Sequence, residues 1–246
     1  MRQPTLYNGA TQRHWVAAFT LIAAIGIGTT PAAKDAPAAN VSPALQSEPP
    51  LQQYRALRRM HAKSEKFNHE GWMEARTERD ATGFRYEIVS ERGSDTVRKR
   101  VMRALLEKER EMVANSQSEG SDLTEDNYTF AAETTGPGCR YILIKPKRKD
   151  VTLVDGRIVL SEDGRELLRV EGKLSKNPSF WTSNVNVVRH YARLDGVRVP
   201  IAIESVAKIK FAGMSTLNVE YEYESINGRP VSTAARTVAA NYSTSR

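Results

Sequence analysis

The stretch from Leu217 to Glu224 reads LNVEYEYE. Leu217, Val219, Tyr221 and Tyr223 take one set of alternate positions, and Asn218, Glu220, Glu222 and Glu224 take the other. A period of two sends successive side chains to opposite faces of a strand, so this segment has one apolar face and one wet face. The same rhythm recurs upstream. Ile201, Ile203, Ala207, Ile209 and Phe211 oppose Glu204, Lys208 and Lys210, while Leu168, Val170, Gly172 and Leu174 oppose Arg169, Glu171 and Lys173. Asp155-Gly156, Asp163-Gly164, Asp195-Gly196 and Asn227-Gly228 punctuate the series, and such pairs tolerate the positive backbone angles of tight hairpins. From Tyr128 onward the chain therefore reads as strands of a large antiparallel sheet, buried on one face and curved around something.

Upstream of that series the pattern is mixed. Leu51, Tyr54, Leu57 and Met60 fall three apart, which predicts a short amphipathic helix over 50–63 with Arg55, Arg58 and Arg59 on its wet flank. Two strands follow around Asp80-Ala81-Thr82-Gly83, with Phe84, Tyr86 and Ile88 alternating against Arg85 and Glu87. A second helix is expected over 95–114, capped by Ser94 and carrying Val97, Val101, Leu105 and Met112 on one stripe. An acidic polar loop comes next. The fold class is mainly β (α+β): a large curved antiparallel sheet forming an incompletely closed β-barrel covered by two or so helices. Such a sheet must cover its apolar face, and two short helices are few for that task. Helices plugging a partly open barrel would leave a lipid-sized cavity beneath them.

The first residues read differently. Arg2, Arg13 and His14 precede an uncharged run, Trp15–Gly28, and small residues follow it. That run suits a signal-peptide core and falls short of the roughly 20 residues that span a bilayer. Residues 1–33 are expected to be a signal peptide, with an uncleaved anchor as the other reading. Residues 34–49, rich in Ala, Pro and Ser, form a flexible leader, and 50–246 form a single domain. The product is expected to be exported, periplasmic or extracytoplasmic, and soluble after cleavage. Loss of Arg2 and Arg13 from 36 basic residues, against 29 acidic, leaves a net charge of +5. Outside the cytoplasm that charge points to anionic head groups or wall polymers rather than nucleic acid, or simply to solubility. Cys139 is the only cysteine. It fits a small apolar residue at a strand start, or a thiol free to pair or react.

Catalytic signatures are missing from the chain. His61, Glu65, His69 and Glu70 lie close together without an H-E-x-x-H or another fixed ligand spacing, so no metal is expected. His190 stands alone in phase with Val188, Ala192 and Leu194, as a structural histidine would. No G-x-S-x-G elbow and no phosphate-cradling glycine loop is present, and no cofactor is expected. A hydrolase whose residues converge from distant strands remains an alternative, as does a scaffold domain docking a protein partner.

Two local features carry the binding reading. In SKNPSFW, Phe180 and Trp181 follow a loop; Trp181 is in phase with Val185 and Val187, and serves either as a core plug or as the rim of a cavity mouth. The cavity itself is expected to be lined by Trp72, Phe84, Tyr86, Trp181, Ile201, Ile203, Leu217, Val219 and Tyr221. KPKRKD places Lys145, Lys147, Arg148 and Lys149 in a loop between strands, either simply solvated or docking on an anionic membrane.

The order of leader, helix, paired strands, helix and hairpin series resembles the periplasmic lipoprotein-carrier superfamily, which includes outer-membrane lipoprotein chaperones and receptors and lipid-sensing regulators of envelope stress. FNHEGWMEA (Phe67–Ala75) is similar to the aromatic-x-Glu-Gly-aromatic opening of the first strand in the regulator branch. The resemblance implies an unclosed β-barrel whose concave face holds acyl chains, without a cofactor. It points to a monomer that binds a lipid or an acylated protein for envelope transport or sensing.

Overall fold

The computed structural model of the chain describes residues 49–115, 122–180, 182–210 and 213–237. The expected signal peptide, nearly all of the leader, Trp181 and Phe211 lie outside the described residues.

Twelve strands form one antiparallel sheet: β1 (Tyr54–Ser64), β2 (His69–Asp80), β3 (Gly83–Gly93), β4 (Tyr128–Phe130), β5 (Thr134–Gly136), β6 (Cys139–Pro146), β7 (Val154–Ser161), β8 (Leu167–Leu174), β9 (Thr182–Leu194), β10 (Val197–Ile209), β11 (Gly213–Ile226) and β12 (Arg229–Pro230). The order across the sheet is β3-β2-β1-β11-β10-β9-β8-β7-β6-β4, with β5 on β6 and β12 on β11. The first strand thus pairs with the eleventh, from Tyr54↔Ile226 to Ser64↔Ser215. Among the described residues nothing pairs β3 with β4, so the barrel stays open between them.

The strand β1 replaces the helix expected over 50–63. Its burial alternates strictly, with Tyr54, Ala56, Arg58, Met60, Ala62 and Ser64 inside. Tyr54 and Met60 satisfy both periods because they lie six apart. Ala56 and Ala62 between them decide for the strand, since small side chains let β1 pack between β2 and β11. The arginines flagged as a wet flank then divide, with Arg55 and Arg59 outside and Arg58 inside.

Three of the four glycine pairs form turns. Asp195 and Gly196 both adopt positive φ, as do Asn227 and Gly228, while Gly164 does so beside Asp163. Asp155-Gly156 instead lies within β7, where Gly156 faces Gly172 across the ladder. Neither position has room for a side chain. A Cβ on Gly156 would meet the Glu171 carbonyl at 2.1 Å, and one on Gly172 would meet that of Asp155 at 2.4 Å. A bulge at Val159/Leu160 also resets β8, so Leu167 is buried and Leu168, expected inside, is exposed.

The helical segment holds its expected place as α1 (Asp95–Val97), a π-helical stretch (Arg98–Arg103) and α2 (Ala104–Ala114). Ser94 occupies the N-cap position, but its side chain makes no capping bond. Val97, Val101, Leu105 and Met112 are buried as the stripe predicts, joined by Met102, Leu106 and Glu109. This segment packs along β1, β2 and β3. Gly71 permits the close approach, since a Cβ there would reach Val97 Cγ1 at 3.0 Å. A last helical turn covers residues 233–237.

Candidate functional site

The concave face is mostly apolar, and its charged groups lie among a belt of tyrosines, with small hydroxyls such as Ser205 and Ser215 elsewhere on it. Arg58 projects inward from β1 and is fully buried, and Glu109 reaches it from α2 with 4 % of its surface exposed. Arg58 Nη1 donates to Glu109 Oε2 at 2.5 Å and Nη2 donates to Oε1 at 2.8 Å, which makes the pair bidentate. Nη2 also donates to the Tyr54 hydroxyl at 2.5 Å, and that hydroxyl donates to Glu109 Oε1 at 3.3 Å. Aromatic rings enclose the guanidinium, with Tyr221 at 4.9 Å and Phe84 at 5.1 Å from its carbon. Burial works most strongly against its charge, but the Glu109 carboxylate and the Tyr54 and Tyr221 oxygens together outweigh it and hold the Arg58 pKa well above the ordinary value. Burial pushes the Tyr221 hydroxyl up to about 12, and it moves Tyr54 and Tyr223 upward as well. These phenols stay protonated and polar at any physiological pH.

A second arginine enters the belt from β9. Arg189 shares the inward positions of Val185 and Val187 and is 7 % exposed. Its Nη2 donates to the Thr152 carbonyl at 3.1 Å, and its buried Nε has no partner. No carboxylate among the described residues forms an ion pair with it. The Tyr221 hydroxyl is likewise buried without a partner and lies within electrostatic reach of both Arg58 and Arg189.

The sequence-derived cavity residues divide between two places. Phe84, Ile201, Ile203, Leu217, Val219 and Tyr221 all lie on the buried face. Tyr86 shares that face at its margin, its hydroxyl bonded to Glu107 of α2. Trp72 differs from the expectation. It sits on the outer face between buried Gly71 and Met73, sandwiched by His61 at 4.9 Å and Arg92 at 4.4 Å. Its parity in β2 decides this: the glycine that receives the helix faces inward, so the tryptophan beside it faces out. Phe180 is 79 % exposed, and the Lys210 ammonium lies 4.1 Å from its ring centre.

Lys145, Lys147, Arg148 and Lys149 are all exposed. Arg148 is nonetheless engaged, donating to Asn127 Oδ1 at 2.5 Å, and Asp150 lies 3.9 Å from it. Cys139 opens β6 half-buried, with its thiol 2.8 Å from the Tyr141 hydroxyl. His61 and His190 each pair with one glutamate, Glu70 and Glu204, at 2.8 Å. Among the described residues no group of histidine, cysteine and acidic side chains could hold a metal ion.

Reading the sequence missed Arg58, Glu109 and Arg189. Two of them carried a signal. Glu109 lies four residues past Leu105 and three before Met112, within the apolar stripe, and Arg189 is in phase with Val185 and Val187. Arg58 was concealed by the helical reading of its strand.

The outer face carries a trough of about 780 Å³ across β6 to β9. Leu143, Arg157, Glu171 and Val188 line it, and backbone at Gly156 and Gly172 forms part of its floor. Leu143 is 61 % exposed there, while Arg157 and Glu171 pair at 2.5 Å.

Fold and site together define an open antiparallel barrel, covered by a helix and holding a buried cationic belt. No protein-family model matches the chain, and no curated protein matches it. Among solved structures, a DUF1329 family protein from Desulfovibrio piger matches at 11% sequence identity with a TM-score of 0.37, covering 80% of this chain and 92% of that one. That likeness is too distant to place the chain in that family. No helix among the described residues is long and apolar enough to cross a membrane.

Proposed function

We propose that this protein is a non-enzymatic carrier or sensor of the cell envelope, of the lipoprotein-carrier type, that binds the acyl chain of a lipid or lipoprotein on its concave face. The observation that carries this reading is the attachment of α2. The helix covers the apolar face beside the open edge of the barrel, and its tie to the sheet includes a buried ion pair, Arg58–Glu109, as well as apolar packing. Burying such a pair gains little over apolar replacements, so its retention suits an element that takes up more than one position. An acyl chain would enter between α2 and the strands, against Phe84, Leu217 and Val219. The apolar run Trp15–Gly28, read as a signal-peptide core, supports export to the envelope. Mass spectrometry of organic extracts from protein purified from its native host tests the reading, with a co-purifying acyl lipid as the expected result. Lipid-free protein that also takes up no long-chain fatty-acid probe would overturn it.

The outer trough favours a second reading, a scaffold that seats a protein partner over Leu143 and Val188. On that reading the interior stays packed and binds no lipid.

A further inference from the structure

From the state of Arg189 we infer that the acyl ligand carries an acidic head group, a carboxylate or phosphate, which Arg189 receives inside the barrel together with the Tyr221 hydroxyl. The inference rests on the acyl-binding reading, since the ligand must enter the concave side.

The two interior arginines differ in one respect. Arg58 has a bidentate carboxylate, a hydroxyl and aromatic faces, so a carboxylate counters its charge within the protein although its Nε, too, has no partner. Arg189 is as permanently charged and nearly as buried, yet a single backbone carbonyl is its hydrogen-bond acceptor. Buried charges are ordinarily paired, because an unpaired one loses its hydration without compensation. Its neighbours in register, Val170 on β8 and Ile203 on β10, offer nothing polar. The guanidinium Nε and the Tyr221 hydroxyl are both buried donors without partners. Two unanswered donors of this kind suit an anionic oxygen group, with the ligand's carbon chain lying on the apolar wall that includes Val185 and Val187.

The test compares dodecanoate, 1-dodecanol and acetate as ligands of the full chain by calorimetry. Dodecanoate should bind roughly tenfold or more tightly than dodecanol, the weight of one charge-assisted hydrogen bond. Acetate should bind far more weakly than either. Arg189→Met should abolish the preference while leaving dodecanol binding intact, and its melting temperature should not fall, since an unpaired buried charge has been removed. Arg189→Gln, which keeps a donor for the Thr152 carbonyl, serves the same comparison where the methionine variant does not fold. Equal affinity for dodecanoate and dodecanol in the wild type, or a preference that survives both variants, would overturn the inference and leave acyl binding standing. Acetate binding as tightly as dodecanoate would show a site for free anions and overturn it too. If neither amphiphile binds, the acyl-binding reading fails first and this inference falls with it.

Discussion

Arg58 and Glu109 join two elements 51 residues apart in the chain through hydrogen bonds of 2.5 and 2.8 Å. Removing one partner strands the other charge in a low-dielectric site, whereas replacing both with apolar groups of similar shape does not. Arg58→Met is therefore expected to destabilise the protein by about 3–5 kcal/mol in urea unfolding. Arg58→Met combined with Glu109→Leu should recover most of that loss, and a double-mutant cycle in which the losses simply add would show that the pair is not coupled. These residues also mark the limit of what the sequence made legible. A period-two reading of Tyr54–Ala62 would have turned Arg58 inward, but three-residue spacing of Leu51, Tyr54, Leu57 and Met60 competed with it. Charge itself misleads here, because a lone arginine in an alternating segment is ordinarily taken for the wet face. Only its partner on α2 makes burial tolerable, and that partner is invisible to local pattern.

Local pattern placed the turns at Gly164, Gly196 and Gly228 and the faces of β3, β10 and β11, and it failed where the backbone departs from a regular ladder. The bulge at Val159/Leu160 shifted Leu168 to the outside, since the extra residue reverses parity on the Leu167 side of it while Val170 and Leu174 stay inside. Asp155-Gly156 has the composition of a turn, yet its glycine serves a close approach of β7 to β8. Gly156→Ala is expected to destabilise by about 1–3 kcal/mol, as overpacking does, measured by thermal unfolding. An unchanged melting temperature would mean that the strands separate freely there. A second element rests on charge. Asp195, in the β9–β10 turn, accepts from the Ser232 amide at 2.8 Å and from its hydroxyl at 2.6 Å, which pins the C-terminal segment. Those two bonds hold the Asp195 carboxyl below its ordinary pKa of 3.8. A depressed carboxylate contributes fully above the unfolded pKa and loses its contribution as pH falls through the folded one. Protection of the Ser232 amide, its exchange relative to the intrinsic rate at each pH, should thus hold at neutral and mildly acid pH and fall only in stronger acid. Asp195→Asn should lose much of that protection already at neutral pH. The asparagine keeps the left-handed turn residue, so a change there reports the charge rather than the turn.

At the scale of the whole molecule the fold class was readable because one-sided alternation over many hairpins permits little else. What it could not supply was β1 beside β11, a pairing of the first strand with the eleventh that no local period encodes. A separate connection links the basic loop to the interior. Residues 147–153 join β6 to β7, with Lys147 and Lys149 exposed on one part and the Thr152 carbonyl holding Arg189 on another. If the protein collects its ligand at an anionic membrane, this loop is the surface that would bring the interior belt towards the head groups. Arg148 is already engaged with Asn127, so Lys145, Lys147 and Lys149 are the side chains to neutralise. Each lysine near a charged surface contributes about 1 kcal/mol, so the triple glutamine variant should bind phosphatidylglycerol-containing vesicles about 100-fold more weakly. Binding by the wild type should itself fall steeply as added salt shortens the Debye length to about 8–10 Å, and phosphatidylcholine vesicles should bind little at any salt. The exposed positions of these lysines predict an unchanged melting temperature in the variant. Vesicle binding indifferent to both salt and substitution would leave the loop a solvated connection, and would place ligand transfer, if it occurs, at another surface.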